Sequence, residues 1–186
     1  MLPSKARKKS AWIQSALERF ERPLLQYALG IVHDPDRARD IVQETFLRLH
    51  KQDQSAIEGY LSQWLFTVCR NCAFKSLKKE QRYIYVENEE FVQHKADSIS
   101  PLQEMARRET LERLMEHVKA LPRNQQDVVR LRFHGHHSYE EISRITGLSS
   151  GNVGFILNAA MRNLRQKMER DDKDEKIIYL ARQAAS

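Results

Sequence analysis

Apolar side chains recur every three or four positions along most of the chain, which is the spacing of helices with one buried face. The first such run predicts a helix from Trp12 to Val32, with Pro23 as a potential kink. A second helix follows to about Lys51, because Asp34 is suited to cap it and Pro35 to occupy its first position. Its predicted buried face consists of Ala38, Val42, Phe46 and Leu49.

A third helix follows a polar loop at residues 52–58, and it combines an apolar first half with a basic second half. Its predicted core face is Leu61, Trp64, Leu65, Val68 and Cys72. Its cations are Arg70, Lys75, Lys78, Lys79 and Arg82. Aromatic rings lie near its start and beyond its end, at Trp64, Phe66, Tyr83 and Tyr85. Cations that follow phosphates beside rings that stack on bases are the parts needed to hold a melted nucleic-acid strand.

The second half of the chain ends in the pattern of a helix-turn-helix. An acidic linker at residues 87–101 precedes one apolar stripe, and a further helix then ends at Gly135. A short helix from Ser138 to Ile145, a tight turn at 146–149 and a longer helix from Ser150 to Met168 complete the motif, whose second helix enters the major groove of DNA. The stripe comprises Leu111, Leu114, Met115 and Val118, and the helix before Gly135 contains Val128, Val129, Leu131 and Phe133.

These elements predict an all-α protein of two small helical domains joined by an acidic linker, the C-terminal one a helix-turn-helix. The predicted domains span residues 8–86 and 102–170, with the linker at 87–101 and a mobile tail at 171–186 that includes a final helical turn near 177–180. Six glycines and five prolines in 186 residues argue against a β-rich fold.

The net charge of +6 is unevenly distributed along the chain. It divides into +6 for residues 1–86, −3 for 87–121, +4 for 122–170 and −1 thereafter. Two basic blocks that flank an acidic segment indicate two surfaces that meet a polyanion such as DNA.

Several functional classes are disfavoured by what the sequence lacks. We find no nucleophile motif, no phosphate-binding glycine loop and no paired catalytic carboxylates, so we expect a protein that is not an enzyme and needs no cofactor. No apolar run approaches the roughly 20 residues of a membrane span, and the start has no apolar stretch for a signal peptide. We therefore expect a cytoplasmic protein without membrane insertion.

Two groups of potential metal ligands are better explained without a metal. Cys69 and Cys72 have the spacing of zinc and redox sites, but no second pair accompanies them, and their positions in a helix favour small core residues. Two cysteines alone also fit a reducing compartment. A polar turn between helices accounts for His134, His136 and His137. We predict no metal site.

Two stretches of the chain resemble the extracytoplasmic-function sigma factors, in the order and at the separation found in that family. The first runs from Asp36 to Leu47 and continues at residues 64–71, and it is similar to the family's second conserved region. The other runs from Leu121 to Gly135 and through Ser138 to Arg165, and it is similar to the fourth region. Together they cover roughly two thirds of the chain, and the pair is far more specific than a lone helix-turn-helix.

The resemblance implies three binding surfaces. The helix from residue 36 to 51 would dock on a basic coiled coil of the polymerase clamp, and carboxylates and amides suit such pairing, although a solvated face explains the same pattern. Its implied contacts are Asp40, Gln43, Glu44 and Phe46. Those for opening and reading the downstream promoter element are Arg70, Asn71, Lys75, Lys78, Lys79 and Arg82. Those for the upstream element are Ser149, Ser150, Asn152, Val153, Phe155, Asn158 and Arg162.

The recognition helix departs from the family's pattern. Relatives usually follow a threonine or asparagine and a valine with a run of lysine, serine and arginine, whereas here Asn152-Val153 precedes the residues at 154–157, Gly-Phe-Ile-Leu. Basic groups return only at Arg162. The glycine weakens the helix and the missing cations remove phosphate contacts, so we expect weaker binding to the upstream element.

The resemblance implies a sigma factor that binds core RNA polymerase and directs promoter recognition and transcription initiation. Promoter DNA and an anti-sigma factor would be its other partners, and the acidic linker would either pass near the polymerase active centre or serve as a solvated tether. One alternative is a helix-turn-helix transcriptional regulator that does not bind the polymerase core. Another is an interaction module that a partner delivers to DNA.

Overall fold

The computed structural model describes residues 4–80 and 101–184, with side chains at residues 7–79 and 108–173. The regular structure in those residues is helical throughout, which confirms the predicted all-α class. None of these helices has the length and apolarity that crossing a membrane requires. Most of the predicted linker, together with Arg82, Tyr83 and Tyr85, lies outside the described residues. The helices are α1 (Ser4–Val32), α2 (Pro35–His50), α3 (Gln54–Ile57), a 3-10 turn (Glu58–Tyr60), α4 (Leu61–Glu80), α5 (Pro101–Lys119), α6 (Arg123–Phe133), α7 (Tyr139–Thr146) and α8 (Ser150–Ala184).

The chain divides into two compact units that interleave along the sequence. The first comprises Met1–Phe91 with Arg130–Val153, and the second comprises Val92–Val129 with Gly154–Ser186. The segment that begins at Arg130 therefore belongs to the same unit as α1 to α4. The assignment of separate functional domains to residues 8–86 and 102–170 stays a prediction.

The core of the first unit lies where α1, α2 and α4 pack together. The rings of Tyr27 on α1 and Phe66 on α4 meet edge to face, with their centroids 5.3 Å apart. Pro23 lies inside α1 without ending it. The predicted face of α2 is buried as expected, at Ala38, Val42, Phe46 and Leu49.

The core face of α4 differs from the predicted one by about one position. Trp64 and Cys72 are only half-buried, whereas Phe66 and Cys69, together with the correctly predicted Leu65, are inaccessible to solvent or nearly so. Apolar residues occupy more than one face of this helix, because α1 and α2 pack on it and α7 also contacts it. Periodicity alone therefore could not select the face that packs most tightly.

The junction between α1 and α2 is built as the sequence predicts. One carboxylate oxygen of Asp34 accepts hydrogen bonds from the backbone N–H groups of Asp36, at 2.9 Å, and Arg37, at 3.0 Å. Pro35 occupies the first turn of α2, where a missing N–H costs nothing. The cap thereby fixes the start of the helix that carries Asp40 and Glu44.

Loss of this cap should lower the stability of the protein measurably. We expect Asp34→Ala to reduce the free energy of unfolding by about 0.5–2 kcal/mol, because two N–H groups of α2 lose their acceptor. Asp34→Asn is the matched control, since asparagine caps helices about as well as aspartate. Urea unfolding followed by circular dichroism measures both variants. An equal loss in the two would show that the charge of Asp34, and not its capping, matters.

The second unit contains α5, the first part of α6 and most of α8. The side-chain amide of Gln126 donates to the carbonyl oxygens of Lys119, at 2.7 Å, and Leu121, at 2.8 Å, which satisfies the C-terminal end of α5. On α8, Asp171 lies 2.6 Å from the imidazole of His117 on α5. Helix α8 continues to Ala184, whereas the sequence predicted only a final helical turn near 177–180 in a tail that begins at residue 171.

Candidate functional site

The polar stripe of α2 lies on the face opposite its buried side chains. Asp40, Gln43 and Glu44 are all exposed. Glu44 accepts a bond from Arg48, at 2.7 Å, one turn further along the helix. Phe46, grouped with the stripe by resemblance, is only 8% exposed and packs in the core.

The basic half of α4 presents its cations to solvent on one face. Asn71, Lys75 and Lys78 are exposed at helical spacing, and Lys79 lies beside them. The Arg70 guanidinium is half-buried and lies over the ring of Phe74, 4.8 Å from its centroid. Such cation–π contacts orient a guanidinium while leaving its charge intact.

The aromatic part of this surface is smaller than the sequence predicted. Phe66, expected as a ring near the strand-binding surface, is 1% exposed and packs against Tyr27. It is therefore a core residue and offers no surface for stacking with a base. Trp64 is half-buried, which leaves part of its ring accessible.

A capping box and a glycine in the left-handed conformation stabilise the helix-turn-helix, and the sequence predicted its glycine-containing turn. At its start, the Ser138 hydroxyl accepts from the N–H of Glu141, and the Glu141 carboxylate accepts from the N–H of Ser138, which forms a capping box. At its turn, Gly147 has a φ of 78°, a conformation that side chains with a Cβ rarely adopt. These two features define the start of α7 and the turn that follows it.

Most of the predicted upstream-element residues lie on the outer side of this motif. Ser149, Ser150, Asn152, Phe155, Asn158 and Arg162 are exposed. Val153, near the start of α8, is fully buried. Phe155 is 72% exposed, the largest exposed fraction among the large apolar side chains that the structure describes.

Helix α7 packs against α4 through contacts that sequence reasoning missed. The imidazole of His137, just before α7, meets the edge of the Phe66 ring at a centroid distance of 4.7 Å. The side-chain amide of Gln63 donates to the Glu141 carboxylate at 3.2 Å. Residues 78 positions apart in sequence give no local signal of such a contact.

The His137 imidazole is enclosed by this packing. Its side chain is 2% exposed, its Nδ1 lies 3.9 Å from the Glu141 carboxylate, and its Nε2 meets no hydrogen-bond partner among the described residues. Burial lowers the pKa of His137 and His136 lowers it further, while Glu141 opposes both. The pKa of Glu141 is lowered chiefly by the hydrogen bond from the Ser138 backbone.

Both shifts predict that acid weakens the packing of α7. Unfolding lets His137 regain its ordinary pKa of 6.5, so its contribution to stability is complete above that pH and declines below it. The contribution of Glu141 is complete above its ordinary pKa of 4.5 and declines as the pH falls further. Exchange of α7 backbone amides should therefore be more strongly protected at pH 7.5 than at pH 5.5.

Two variants distinguish the contribution of His137 from that of Glu141 in this amide-exchange measurement. His137→Phe should remove the change in protection between pH 7.5 and 5.5, which for one group amounts to at most about tenfold per pH unit. Glu141→Gln keeps an acceptor for the capping box and should retain that change. Unchanged acid sensitivity in His137→Phe would contradict the assignment.

The two cysteines do not form a metal or redox centre with other described residues. Cys69 is buried, and its thiol donates a weak bond to the carbonyl oxygen of Leu24, at 3.9 Å. Burial raises the pKa of the Cys69 thiol to about 12 and also raises the pKa of Cys72, so neither is poised to form the thiolate that such chemistry needs. No group of three or more His, Cys, Asp or Glu within the described residues could hold a metal ion.

Comparison with known proteins identifies two family models that match separate stretches of the chain. Sigma-70 region 2 matches residues 16–83, which include the α2 stripe and all of α4. Sigma-70 region 4 matches residues 118–166, which include the helix-turn-helix. RNA polymerase sigma factor YlaC of Bacillus subtilis (strain 168) is 26% identical over 170 residues, which cover 89% of this chain and 96% of that protein. ECF RNA polymerase sigma factor SigM of the same organism is 24% identical over 164 residues, covering 88% and 99%.

Solved structures share the fold across most of the chain. The sigma factor RpoE, in complex with the anti-sigma factor NepR from Bartonella quintana, superposes with a TM-score of 0.65 at 20% identity and covers 84% of this chain and 96% of its own. CnrH, in complex with the cytosolic domain of CnrY, has a TM-score of 0.59 at 19% identity, covering 89% and 95%.

The two matched regions define the class of protein as a sigma factor of the sigma-70 type. Within that class, the chain belongs to the extracytoplasmic-function sigma factors. Its partners are therefore core RNA polymerase and promoter DNA. The alternative of a helix-turn-helix regulator that does not bind the polymerase core is not favoured.

Proposed function

We propose that this sigma factor binds core polymerase through the exposed stripe Asp40, Gln43 and Glu44 of α2. The observation that carries the proposal is their common exposure on a helix whose opposite face is buried and whose start is fixed by the Asp34 cap. Two carboxylates and an amide pair well with a surface of arginines.

The second part of the proposal is that α4 holds the separated non-template strand at the downstream element. Lys75, Lys78 and Lys79 are exposed and would follow its phosphates. Asn71 is exposed on the same helix and offers donors and an acceptor to a base edge. Arg70, oriented by Phe74, supplies a further cation. Arg82 completes the proposed set.

The third part concerns the upstream element and the regulation of the protein. Ser149, Ser150, Asn152, Phe155, Asn158 and Arg162 would face the duplex. Because one solved structure of similar fold is a sigma factor bound to an anti-sigma factor, we also propose an anti-sigma partner here. The protein would act in the cytoplasm and have no catalytic activity of its own, leaving RNA synthesis to the polymerase.

Run-off transcription on fragmented genomic DNA tests the function directly. Sigma-free core polymerase is incubated with and without the purified protein, and the 5′ ends of the transcripts are sequenced. We expect defined start sites that require the protein and that share two upstream sequence elements. A folded protein that binds DNA but produces no start sites would be a conventional regulator.

A further inference from the structure

The outer face of the first three turns of α8 is uncharged, apart from the cation that ends it. Gly151, Asn152, Phe155 and Asn158 are exposed at successive helical spacings, and Arg162 follows one turn later. No charged residue occurs between Ser150 and Met161. A helix that reads DNA with this face has little electrostatic attraction to phosphates and must depend on contacts with base edges.

The outward position of Phe155 is imposed by the register of α8. Val153, Ile156 and Leu157 are buried, and burying Phe155 as well would require the helix to rotate and expose them. Asn152 and Asn158 are exposed three residues before and after it, so amides flank the ring along this face. That setting suits a base-pair edge better than it suits the apolar core of a protein interface.

Gly151 provides an independent indication of a close partner. A Cβ at this position would meet no atom within 4 Å, so packing inside the protein does not require glycine there. Glycine in a helix is unfavourable relative to alanine, and it is typical of sites where another molecule approaches the backbone closely. Gly151 lies one turn before Phe155 and leaves the space beside the ring open.

The chemistry of the three outward side chains selects one kind of base pair. An aromatic or other apolar side chain in the major groove contacts the C5 methyl group of thymine, and asparagine bonds adenine at N6 and N7. Between the start of α8 and Arg162 there is no lysine or arginine, the residues whose contacts select guanine. Asn152 and Asn158 are about 9 Å apart along the helix axis, which corresponds to roughly three neighbouring base pairs.

We propose that Phe155 determines upstream-element specificity by packing against thymine methyl groups, with Asn152 and Asn158 bonding adenines in the neighbouring pairs. The proposal rests on the proposed promoter contact of α8 and names the DNA that this contact prefers, a short run of A·T pairs.

Replacement of thymine by deoxyuridine tests this contact, because it deletes only the C5 methyl group. The holoenzyme, formed from core polymerase and the full chain, is bound to promoters obtained by selection from templates with a randomised upstream window. Each thymine of the selected element is then replaced in turn. We expect A·T pairs to be enriched, and we expect about fourfold weaker binding at one or two of the replaced positions.

The same replacements in a Phe155→Ala holoenzyme provide the decisive comparison. This variant should bind the thymine promoter about as weakly as the intact protein binds the uridine promoter, and it should be insensitive to uridine at the critical positions. Phe155→Leu should recover part of the uridine sensitivity, because leucine keeps an apolar contact. Phe133→Ala is the matched control, since Phe133 is also more than half exposed but lies outside α8.

Each contrary outcome has a distinct meaning. Selected promoters that bind equally well with uridine, or a Phe155→Ala variant that keeps full uridine sensitivity, would overturn the proposal while leaving the sigma function intact. Normal DNA binding by Phe155→Ala together with lost binding of a protein partner would make Phe155 a protein-docking residue. Failure to select any template with the folded protein would overturn both this proposal and the promoter contact on which it rests.

Discussion

The triple variant Asp40→Ala, Gln43→Ala, Glu44→Ala should bind core polymerase about 30-fold more weakly than the intact protein. Loss of charged partners at an interface costs about 2 kcal/mol or more, and each 1.4 kcal/mol changes affinity tenfold. The three side chains are exposed, so their removal should leave folding unchanged. Fluorescence anisotropy of the labelled protein, titrated with sigma-free core polymerase, measures the effect.

The chain provides a control of nearly identical composition. Gln14, Glu18 and Glu21 on α1 are likewise one amide and two carboxylates, all exposed, in the same compact unit. Their replacement by alanine should leave core binding within twofold of the intact protein. Equal losses in the two triple variants would mean that overall acidity, and not the α2 stripe, determines the affinity.

Phe66→Ala should destabilise the first unit by about 3–5 kcal/mol, the cost of deleting a large ring from a packed core. The ring is 1% exposed and meets two aromatic neighbours edge to face, Tyr27 on α1 and His137 before α7. Its removal therefore weakens the packing of α1 and the attachment of α7 at the same time. Urea unfolding, followed by helical circular dichroism, measures the loss.

Phe133→Ala deletes the same side chain from a surface position. Phe133 is 53% exposed, so this variant should stay within about 0.5 kcal/mol of the intact protein. If Phe66→Ala were equally mild, the ring would have to be a surface residue, as the sequence suggested when it was grouped with the strand-binding aromatics.

Features encoded over a few neighbouring residues were predicted correctly from the sequence. Asp34 followed by Pro35 marks the start of α2, and the structure contains the cap. A glycine between two helical patterns marks the turn of the helix-turn-helix, and Gly147 has the left-handed conformation. In these places the local chemistry leaves few alternatives, so short sequences suffice.

Features set by packing between distant segments were not predictable in the same way. The seven apolar residues from Trp64 to Ala73 are compatible with more than one buried face of α4. Which face is buried depends on the helices that pack against α4, and this packing places Phe66 in the core. The inward side chain of Val153, which the family resemblance grouped with the upstream-element contacts, likewise depends on packing. The bond between Gln63 and Glu141 depends entirely on the tertiary fold.

The extension of α8 was missed although a signal for it existed. Neither glycine nor proline occurs between Phe155 and Ser186, so no residue there ends a helix. The charge run beyond Arg170 was interpreted as a solvated tail. The carboxylate of its first residue, Asp171, lies 2.6 Å from the imidazole of His117, a contact that the sequence alone does not reveal.

The reactivity of the buried Cys69 thiol can be used to measure transient opening of the first unit. Thiol reagents attack the thiolate, and at this site the thiolate is both scarce and shielded from solvent. In a Cys72→Ser background, Cys69 is the only cysteine of the chain. The rate at which a thiol reagent labels it therefore reports how often α1, α2 and α4 separate. Comparing that rate for the free protein and the holoenzyme would show how far core polymerase rigidifies the subunit, with a cysteine that the chain already contains.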